Sequence, residues 1–230
     1  MNSALIHQPE YLPWSNFFLK LKNVKNYVFL DSVQYNKRSF QNRNFIKTRF
    51  GQKYLTVPIK KSSQSTKIKD IQIDYKNDWI KNHLEILKLN YKRSKFFEKI
   101  FPEFQEIYYE KNWKYLCDLN VSLIKYFLKK LDLNLKFHLS SSFNLIEKKS
   151  DLMLRICKEL KADTYVTGTG SKNYLNEKNF ENEKIKLIYI PPKEIIYDQQ
   201  YMNLGFTKEL SFIDYIFNCG FEKFKKDFLS

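Results

Sequence analysis

The sequence is poor in the residues that cross-link a chain or interrupt it. It contains 5 glycines, 6 prolines and three cysteines, Cys117, Cys157 and Cys219, with no C-x-x-C pair among them. An odd number of separated cysteines within apolar helical patterns argues against a disulfide framework and indicates reduced thiols in the core. Three scattered histidines add no metal-ligand spacing. We therefore predict no metal site of the zinc type, which leaves only a carboxylate-bound magnesium open.

Long apolar runs are absent as well. No stretch approaches the roughly 18 apolar residues that a membrane-spanning helix needs. The N-terminal residues also lack a basic region followed by an apolar run. We therefore expect a cytoplasmic protein with no membrane insertion. Its 43% of hydrophobic residues are sufficient for a well-buried core.

Acidic residues are missing from one long stretch. From Ser32 to Lys69 the chain carries ten basic residues and no aspartate or glutamate, within a net charge of +15. Such a stretch is typical either of a solvated surface or of a site for a polyanion such as a nucleotide, a phosphorylated lipid or a nucleic acid. Its densest part offers arginine forks and amides suited to phosphate or carboxylate. The candidate binding residues are Gln34, Tyr35, Arg38, Arg43, Asn44 and Lys47.

The most informative stretch lies near the N-terminus. A short apolar strand, Ala4–Ile6, leads into His7, and Pro9 and Pro13 then prevent both a helix and a paired strand. Stiff loops at strand ends are where α/β proteins often carry their chemistry. We predict that this loop is the floor of an active site, with His7 as a general base or phosphate ligand; the alternative is a histidine that only braces the loop. The same loop supplies four candidate substrate-binding residues, Gln8, Glu10, Tyr11 and Trp14.

The elements that follow predict the fold class. A helical spacing over Ser15–Lys25 leads into the buried apolar strand Tyr27–Asp31, which completes a β-α-β unit. Asp31 then lies at the carboxyl edge of the sheet, facing a ligand or capping the next turn. Further strands follow a mainly helical section around 78–131. We predict a single α/β, Rossmann-like domain over 1–230, with a mainly parallel sheet and helical insertions.

A glycine-containing turn follows a late strand. Gly168, Thr169 and Gly170 come directly after the apolar stretch Thr164–Thr167, in a chain with few glycines. Such a turn can expose backbone N–H groups to a phosphate. It is neither a Walker A sequence nor the G-x-G-x-x-G dinucleotide motif, and no G-x-S-x-G elbow is present. We predict that these three residues form a ligand loop.

Together these motifs resemble the WbqC-like protein family of bacterial O-antigen and surface-polysaccharide genes. The resemblance covers nearly the whole chain, and its first and last motifs are specific. The family usually has glycine at the position of Asn16 and often a second aspartate at that of Ser32. The matching segments are 7–14, 29–35, 37–44, 55–58, 118–120, 162–165 with Gly168, 210–211 and 217–220.

The resemblance implies a transferase that modifies a nucleotide-linked sugar, and we favour one that places an acyl or aminoacyl group on the amine of that sugar. His7 or Asp31 would take the amine proton, and the side chains of Tyr11 and Trp14 would line the sugar-binding site. The cations Arg38, Arg43 and Lys47 would hold the phosphates of the sugar or of an acyl-CoA or aminoacyl donor. Two alternatives stay open: a non-catalytic tRNA-binding protein and a nucleotidylyltransferase. The aromatic tail with Phe221, Phe224 and Phe228 is either a homodimer surface or part of the core.

Overall fold

The computed structural model describes residues 1–229. Their contacts divide the chain into two compact units, each assembled from separate segments. Residues 1–8, 16–33 and 132–194 form what we call the sheet unit. Residues 9–15 and 34–131, with the chain from Ile195 onward, form what we call the helical unit. The predicted single domain over 1–230 stays a prediction.

The described residues contain seven strands and seven α-helices. The strands are β1 (Ser3–His7), β2 (Asn26–Phe29), β3 (Arg43–Thr48), β4 (Gly51–Thr56), β5 (Lys136–Leu139), β6 (Thr164–Gly168) and β7 (Lys186–Ile190). The helices are α1 (Ser15–Leu19), α2 (Trp79–Tyr91), α3 (Phe97–Tyr109), α4 (Leu116–Lys130), α5 (Lys149–Glu159), α6 (Glu177–Asn182) and α7 (Phe212–Phe224). No helix in 1–229 is long and apolar enough to span a membrane.

The sheet unit is organised around five strands in the order β5-β2-β1-β6-β7. Every neighbouring pair is parallel; His7 lies opposite Phe29, and Leu5 lies opposite Val166. The runs 4–6, 27–31 and 164–167 predict β1, β2 and β6, and the runs 135–139 and 185–190 predict β5 and β7. The predicted α/β, Rossmann-like class with a mainly parallel sheet is therefore confirmed.

Burial on one face of this sheet follows the alternation of its strands. Ala4, Ile6 and Val28 belong to a buried cluster that includes Ile156 and Cys157 of α5. Alternate residues of a strand point to the same face, so these positions share one packing surface. All three cysteines of the chain are buried free thiols, as predicted.

The helical unit contains an antiparallel hairpin that the sequence did not predict. Strands β3 and β4 pair from Arg43 opposite Thr56 to Thr48 opposite Gly51. We expected residues 32–53 to contribute little to a core because they are polar. That expectation was wrong for β3, where Asn44, Lys47 and Thr48 are buried. Their polar groups are hydrogen-bonded, and these bonds offset the free-energy cost of burying polar side chains.

The helices of this unit match the predicted helical section. Asp78 caps α2, its side chain accepting from the Lys81 backbone N–H at 3.1 Å. Asn120 in α4 is fully buried and donates to the carbonyls of Pro9 at 2.9 Å and Gln41 at 2.7 Å. A polar side chain on the apolar stripe of α4 is thus buried and hydrogen-bonded through its amide nitrogen. The amide holds two loops of the helical unit in place.

The last helix contains a break that requires glycine. Gly220 has φ +78° and ψ 167° within α7, and a Cβ there would lie 2.9 Å from the Phe96 ring. This backbone region is essentially restricted to glycine. Ser211 and Asp214 have the spacing of a capping box, and the Ser211 side chain does cap the helix at Ile213. The sequence would also place a cap at Ser150, but α5 begins at Lys149, and the Ser150 hydroxyl accepts from the Asn176 N–H instead.

Candidate functional site

The carboxyl edge of the parallel sheet collects the polar residues that end its strands. His7 ends β1, Asp31 follows β2, Ser140 follows β5, and Gly168 ends β6. The strand order places β1 between β2 and β6, so the direction of the chain across the sheet reverses there. In open α/β sheets, ligands bind in the crevice at such a switch point.

His7 has a defined tautomer. Its Nδ1 atom lies 3.0 Å from the Gln8 carbonyl oxygen, which can only accept a hydrogen bond. Nδ1 therefore carries the proton, and Nε2 has a free lone pair. The ring packs edge-on against Phe17, with centroids 5.1 Å apart and planes at 88°. The sequence predicts His7 as a general base or phosphate ligand, and this tautomer leaves Nε2 unprotonated.

Lys20 is the cation that accompanies His7. Its Nζ lies 5.4 Å from the Phe17 ring centroid, and its Cδ would lie 3.8 Å from a Cβ on Gly168. Burial and the Lys20 charge together lower the pKa of His7 from 6.5 to about 3. His7 is therefore neutral at physiological pH. We did not single out Lys20 from the sequence, because lysines are common throughout the chain.

The predicted ligand loop forms a short 3-10 helix, Thr169–Asn173. The Ser171 hydroxyl donates to the Gly168 carbonyl at 2.7 Å and secures the turn, whereas Thr169 and Gly170 are exposed. Neither glycine has a left-handed backbone, and a Cβ on Gly170 would meet no atom within 4 Å. The fold therefore does not require glycine at 170.

This observation gives a sharp prediction for Gly170→Ala. We expect the free energy of unfolding to stay within about 1 kcal/mol of wild type, because alanine fits the backbone and restricts the unfolded chain. If a ligand approaches the turn closely, however, the added methyl group weakens its binding. Chemical denaturation and calorimetric titration on one preparation measure both. Unchanged ligand affinity in Gly170→Ala would contradict a close approach.

Asp31 is a cap in this structure. The side chain is 2% exposed and accepts hydrogen bonds from the Ser140 hydroxyl at 2.9 Å, the Ser141 N–H at 2.8 Å and the Ser141 hydroxyl at 2.7 Å. These bonds hold the 3-10 helix Ser140–Phe143 at the end of β5. Asp31 was predicted either to face a ligand or to cap the next turn, and these hydrogen bonds favour the cap. A catalytic role stays a prediction.

Asp31→Asn separates these two roles. Asparagine keeps one oxygen for Ser140 and Ser141, and its amide can donate to the Ser141 hydroxyl. For a cap we expect a loss of about 1 kcal/mol in the free energy of unfolding and little loss of activity. A proton acceptor, in contrast, would lose at least about 100-fold in kcat. Comparing kcat with the denaturation midpoint decides between them.

The rest of the His7 loop belongs to the helical unit. Tyr11 is fully buried, with its hydroxyl 2.9 Å from His83 Nδ1 and hydrogen-bonded to Tyr108. Burial raises the pKa of Tyr11 well above its usual value. Tyr11 therefore lies in the core and does not present a face to a sugar. Glu10 and Trp14 are half-buried, and Trp14 forms a bridge to Ser211.

Lys47 also lies in the core. It is fully buried, and its Nζ donates to Gln199 Oε1 at 3.0 Å and to the Gly205 carbonyl at 2.6 Å. Burial lowers the pKa of Lys47, and the nearby carboxylate of Asp214 opposes that shift. The side chain therefore holds parts of the helical unit together. The structure does not present its ammonium group at the surface.

The remaining predicted cations have contacts of their own. Arg43 donates to the Arg38 carbonyl at 2.6 Å, and its guanidinium carbon lies 4.0 Å from the Tyr54 ring centroid. Asn44 is buried and donates to the Leu12 carbonyl at 2.7 Å. Arg38 and Gln34 are exposed, whereas Tyr35 is buried. A ligand-binding role for these residues stays a prediction.

The structure thus brings only part of the predicted set to the sheet edge. Residues from the prediction that lie in the sheet unit are His7, Gln8, Asp31, Gly168, Thr169 and Gly170. Those that lie in the helical unit are Glu10, Tyr11, Trp14, Gln34, Tyr35, Arg38, Arg43, Asn44 and Lys47. Among residues 1–229, no group of three or more His, Cys, Asp or Glu side chains could hold a metal ion.

The fold and this edge define an α/β protein with a Rossmann-like strand order and a candidate ligand site at the switch point. The chain belongs to the WbqC-like protein family, whose model matches residues 8–226. It is also 30% identical over 227 residues to a Mycobacterium tuberculosis protein described as "Uncharacterized protein Rv1507c", covering 96% of each chain. No solved structure matches the chain significantly.

Asn16 and Ser32 have structural roles beside the candidate site. The Asn16 amide donates to the Lys193 carbonyl at 2.9 Å and accepts from the Lys193 N–H at 2.7 Å. This side chain fixes the segment after β7, which a glycine could not do. The Ser32 hydroxyl lies 2.8 Å from the Ser140 hydroxyl, beside the Asp31 cap. Both residues therefore stabilise segments at the carboxyl edge.

Proposed function

We propose that the protein is a transferase that acylates or aminoacylates the amine of a nucleotide-linked sugar at the carboxyl edge of the sheet unit. One observation carries the proposal: the unprotonated Nε2 of His7 accompanies the Lys20 cation and an exposed glycine turn at the β1/β6 switch point. Such crevices are the usual ligand sites of open α/β sheets. A base and a cation together suit a phosphate-bearing amine substrate.

Lys20 and the glycine turn would hold the nucleotide. An ammonium group provides a charge for a diphosphate. The open space around Gly170 would let phosphate oxygens approach the backbone. Since Lys20 approaches both Phe17 beside His7 and the end of β6 at Gly168, it would connect the phosphate to the reacting group.

His7 would act as the proton acceptor. The sugar amine attacks the carbonyl carbon of a thioester or ester donor, forming a C–N bond and breaking the donor's C–S or C–O bond. The amine proton passes to His7 Nε2, and His7 then gives that proton to the leaving thiolate or alkoxide. In the free protein the pKa of His7 is about 3. A bound phosphate would offset the Lys20 charge and raise this pKa, making His7 a better base.

Membership of the WbqC-like family supports a role in surface-polysaccharide assembly such as that of the O-antigen. The acceptor would be a nucleoside diphosphate amino sugar, and the donor an acyl-CoA or an aminoacyl ester. We place the reaction in the cytoplasm. The proposal depends on the sheet-edge geometry for the nucleotide and on the family resemblance for a transferase that modifies a nucleotide-linked sugar.

The test is a product assay by mass spectrometry. The protein is incubated with a panel of nucleoside diphosphate amino sugars and either acyl-CoA or aminoacyl-tRNA, and the sugar nucleotide is monitored for the added acyl mass. Lys20→Ala is the test variant. Lys25→Ala is its matched control, because Lys25 is exposed and precedes β2 at the opposite edge of the same sheet. Product formed equally by both variants would contradict the proposed site.

A further inference from the structure

The helical unit contains a second feature, a cavity of about 620 Å³. The hairpin of β3 and β4, the C-terminal end of α2 and residues 200–201 line it. Four of its lining residues are cations: Arg49, Lys53, Lys92 and Arg93. Two come from the acid-free stretch of the sequence. The other two lie about forty residues further on, so no local pattern of the sequence groups the four cations.

The charge of this cavity is not compensated by the protein. None of its lining residues, all of which the structure describes, carries a carboxylate. None of the four cations forms an ion pair with any residue in 1–229. Four like charges around one concave surface raise the local positive potential, and an anionic ligand would lower that repulsion. The electrostatics therefore select an anion with more than one charge.

Apolar and aromatic groups complete the lining. Phe50 is 83% exposed, and the guanidinium carbon of Arg49 lies 4.5 Å from its ring centroid. Leu89, also in the lining, is 70% exposed. An exposed aromatic ring beside arginine is the combination on which nucleobases stack. Tyr201 donates to Asn90 Oδ1 at 3.1 Å and fixes the opposite wall.

We infer that this cavity binds a nucleotide bearing two or more phosphate groups, with the phosphates on the cations and the base against Phe50. The cavity has the size of small-molecule sites, which span about 300–1,000 Å³. That size favours a small nucleotide over a nucleic-acid strand, which would track a longer groove. The inference uses only residues of the helical unit and does not depend on the proposed transferase reaction.

Calorimetric titration of the full chain tests this inference with two probes, adenosine 3′,5′-bisphosphate and inorganic pyrophosphate. We expect both probes to bind, and Arg49→Gln and Arg93→Gln each to raise both dissociation constants about tenfold. Phe50→Ala should raise the constant for the nucleotide about fivefold or more and leave that for pyrophosphate unchanged. Lys61→Gln is the matched control, an exposed cation of the same basic stretch outside the cavity.

Three outcomes would overturn the inference. The first is no binding of adenosine 3′,5′-bisphosphate. The second is that Lys61→Gln and Arg49→Gln weaken the binding of the probes equally, which would mean that the overall charge of the protein attracts them. The third is that Arg49→Gln and Arg93→Gln weaken the binding of a single-stranded oligoribonucleotide but leave the binding of the nucleotide unchanged. Lys20→Ala separates this site from the sheet edge: it should leave nucleotide binding in the cavity unchanged, whether or not the proposed transferase activity is correct.

Discussion

His7→Ala is expected to reduce kcat/KM for acyl transfer by about 100- to 10,000-fold, which is the usual contribution of a general base. The variant removes the Nε2 lone pair that the Gln8 carbonyl orients through Nδ1. His7→Gln is the companion variant, since its amide can still donate to a carbonyl but cannot take the proton. We expect the two variants to be equally impaired. Initial rates on an accepted sugar nucleotide measure the effect.

The pH profile of the same reaction provides an independent check. Because burial and Lys20 lower the pKa of His7 to about 3, the free protein should show no His7 titration in kcat/KM between pH 5 and 8. Lys20→Ala removes one of the two causes of the low pKa, so the acidic limb of the kcat/KM profile should move to higher pH. Normal activity in His7→Gln would exclude His7 as the base. An acidic limb near pH 6.5 in the wild type would contradict the low pKa.

Asp214→Ala is expected to cause the largest loss of stability, about 3–5 kcal/mol, because it leaves two buried tyrosine hydroxyls without their acceptor. Asp214 is fully buried in α7 and accepts from the Tyr197 hydroxyl at 2.8 Å and from the Tyr91 hydroxyl. Its charge also offsets that of the buried Lys47. Chemical denaturation at neutral pH measures the loss.

Asp214→Asn tests the electrostatics of this cluster. Burial raises the pKa of Asp214 from 3.8 to about 6, so its stabilising contribution is complete below pH 3.8 and is lost as the pH rises through 6. Between pH 4.5 and 7.5 the wild type should therefore lose about 2 kcal/mol relative to the variant, which does not titrate. A wild-type-minus-variant difference that stays constant with pH would contradict the raised pKa.

The fold was predictable where burial follows from apolar side chains. The three central strands β1, β2 and β6 are short apolar runs that are buried on both faces, and such runs predict parallel strands. The hairpin strand β3 was not predictable, because its buried Lys47 depends on Gln199 and Gly205, more than 150 residues away. A local pattern cannot contain the partners that make a polar residue a core residue.

The candidate site was predictable only where a local sequence pattern marks its residues. His7 and the Gly168–Gly170 turn stand out because histidine and glycine are rare in this chain and end apolar strands. Lys20 does not stand out, since its importance comes from its approach to Gly168 in three dimensions. Tyr11 is conspicuous in the sequence, yet its hydroxyl bonds to His83 and Tyr108 within the core. Motif position alone does not separate exposed from buried residues.

The most direct measurement is a thermal-shift titration of the wild type, Lys20→Ala and Lys25→Ala with nucleoside diphosphate amino sugars. A ligand at 100 times its dissociation constant stabilises the folded state by about 2.7 kcal/mol, which moves the unfolding midpoint measurably. We predict that one sugar nucleotide raises the midpoints of wild type and Lys25→Ala, and that Lys20→Ala loses the shift. An equal shift in all three proteins, or no shift with any sugar nucleotide, would contradict a nucleotide-sugar site at the sheet edge.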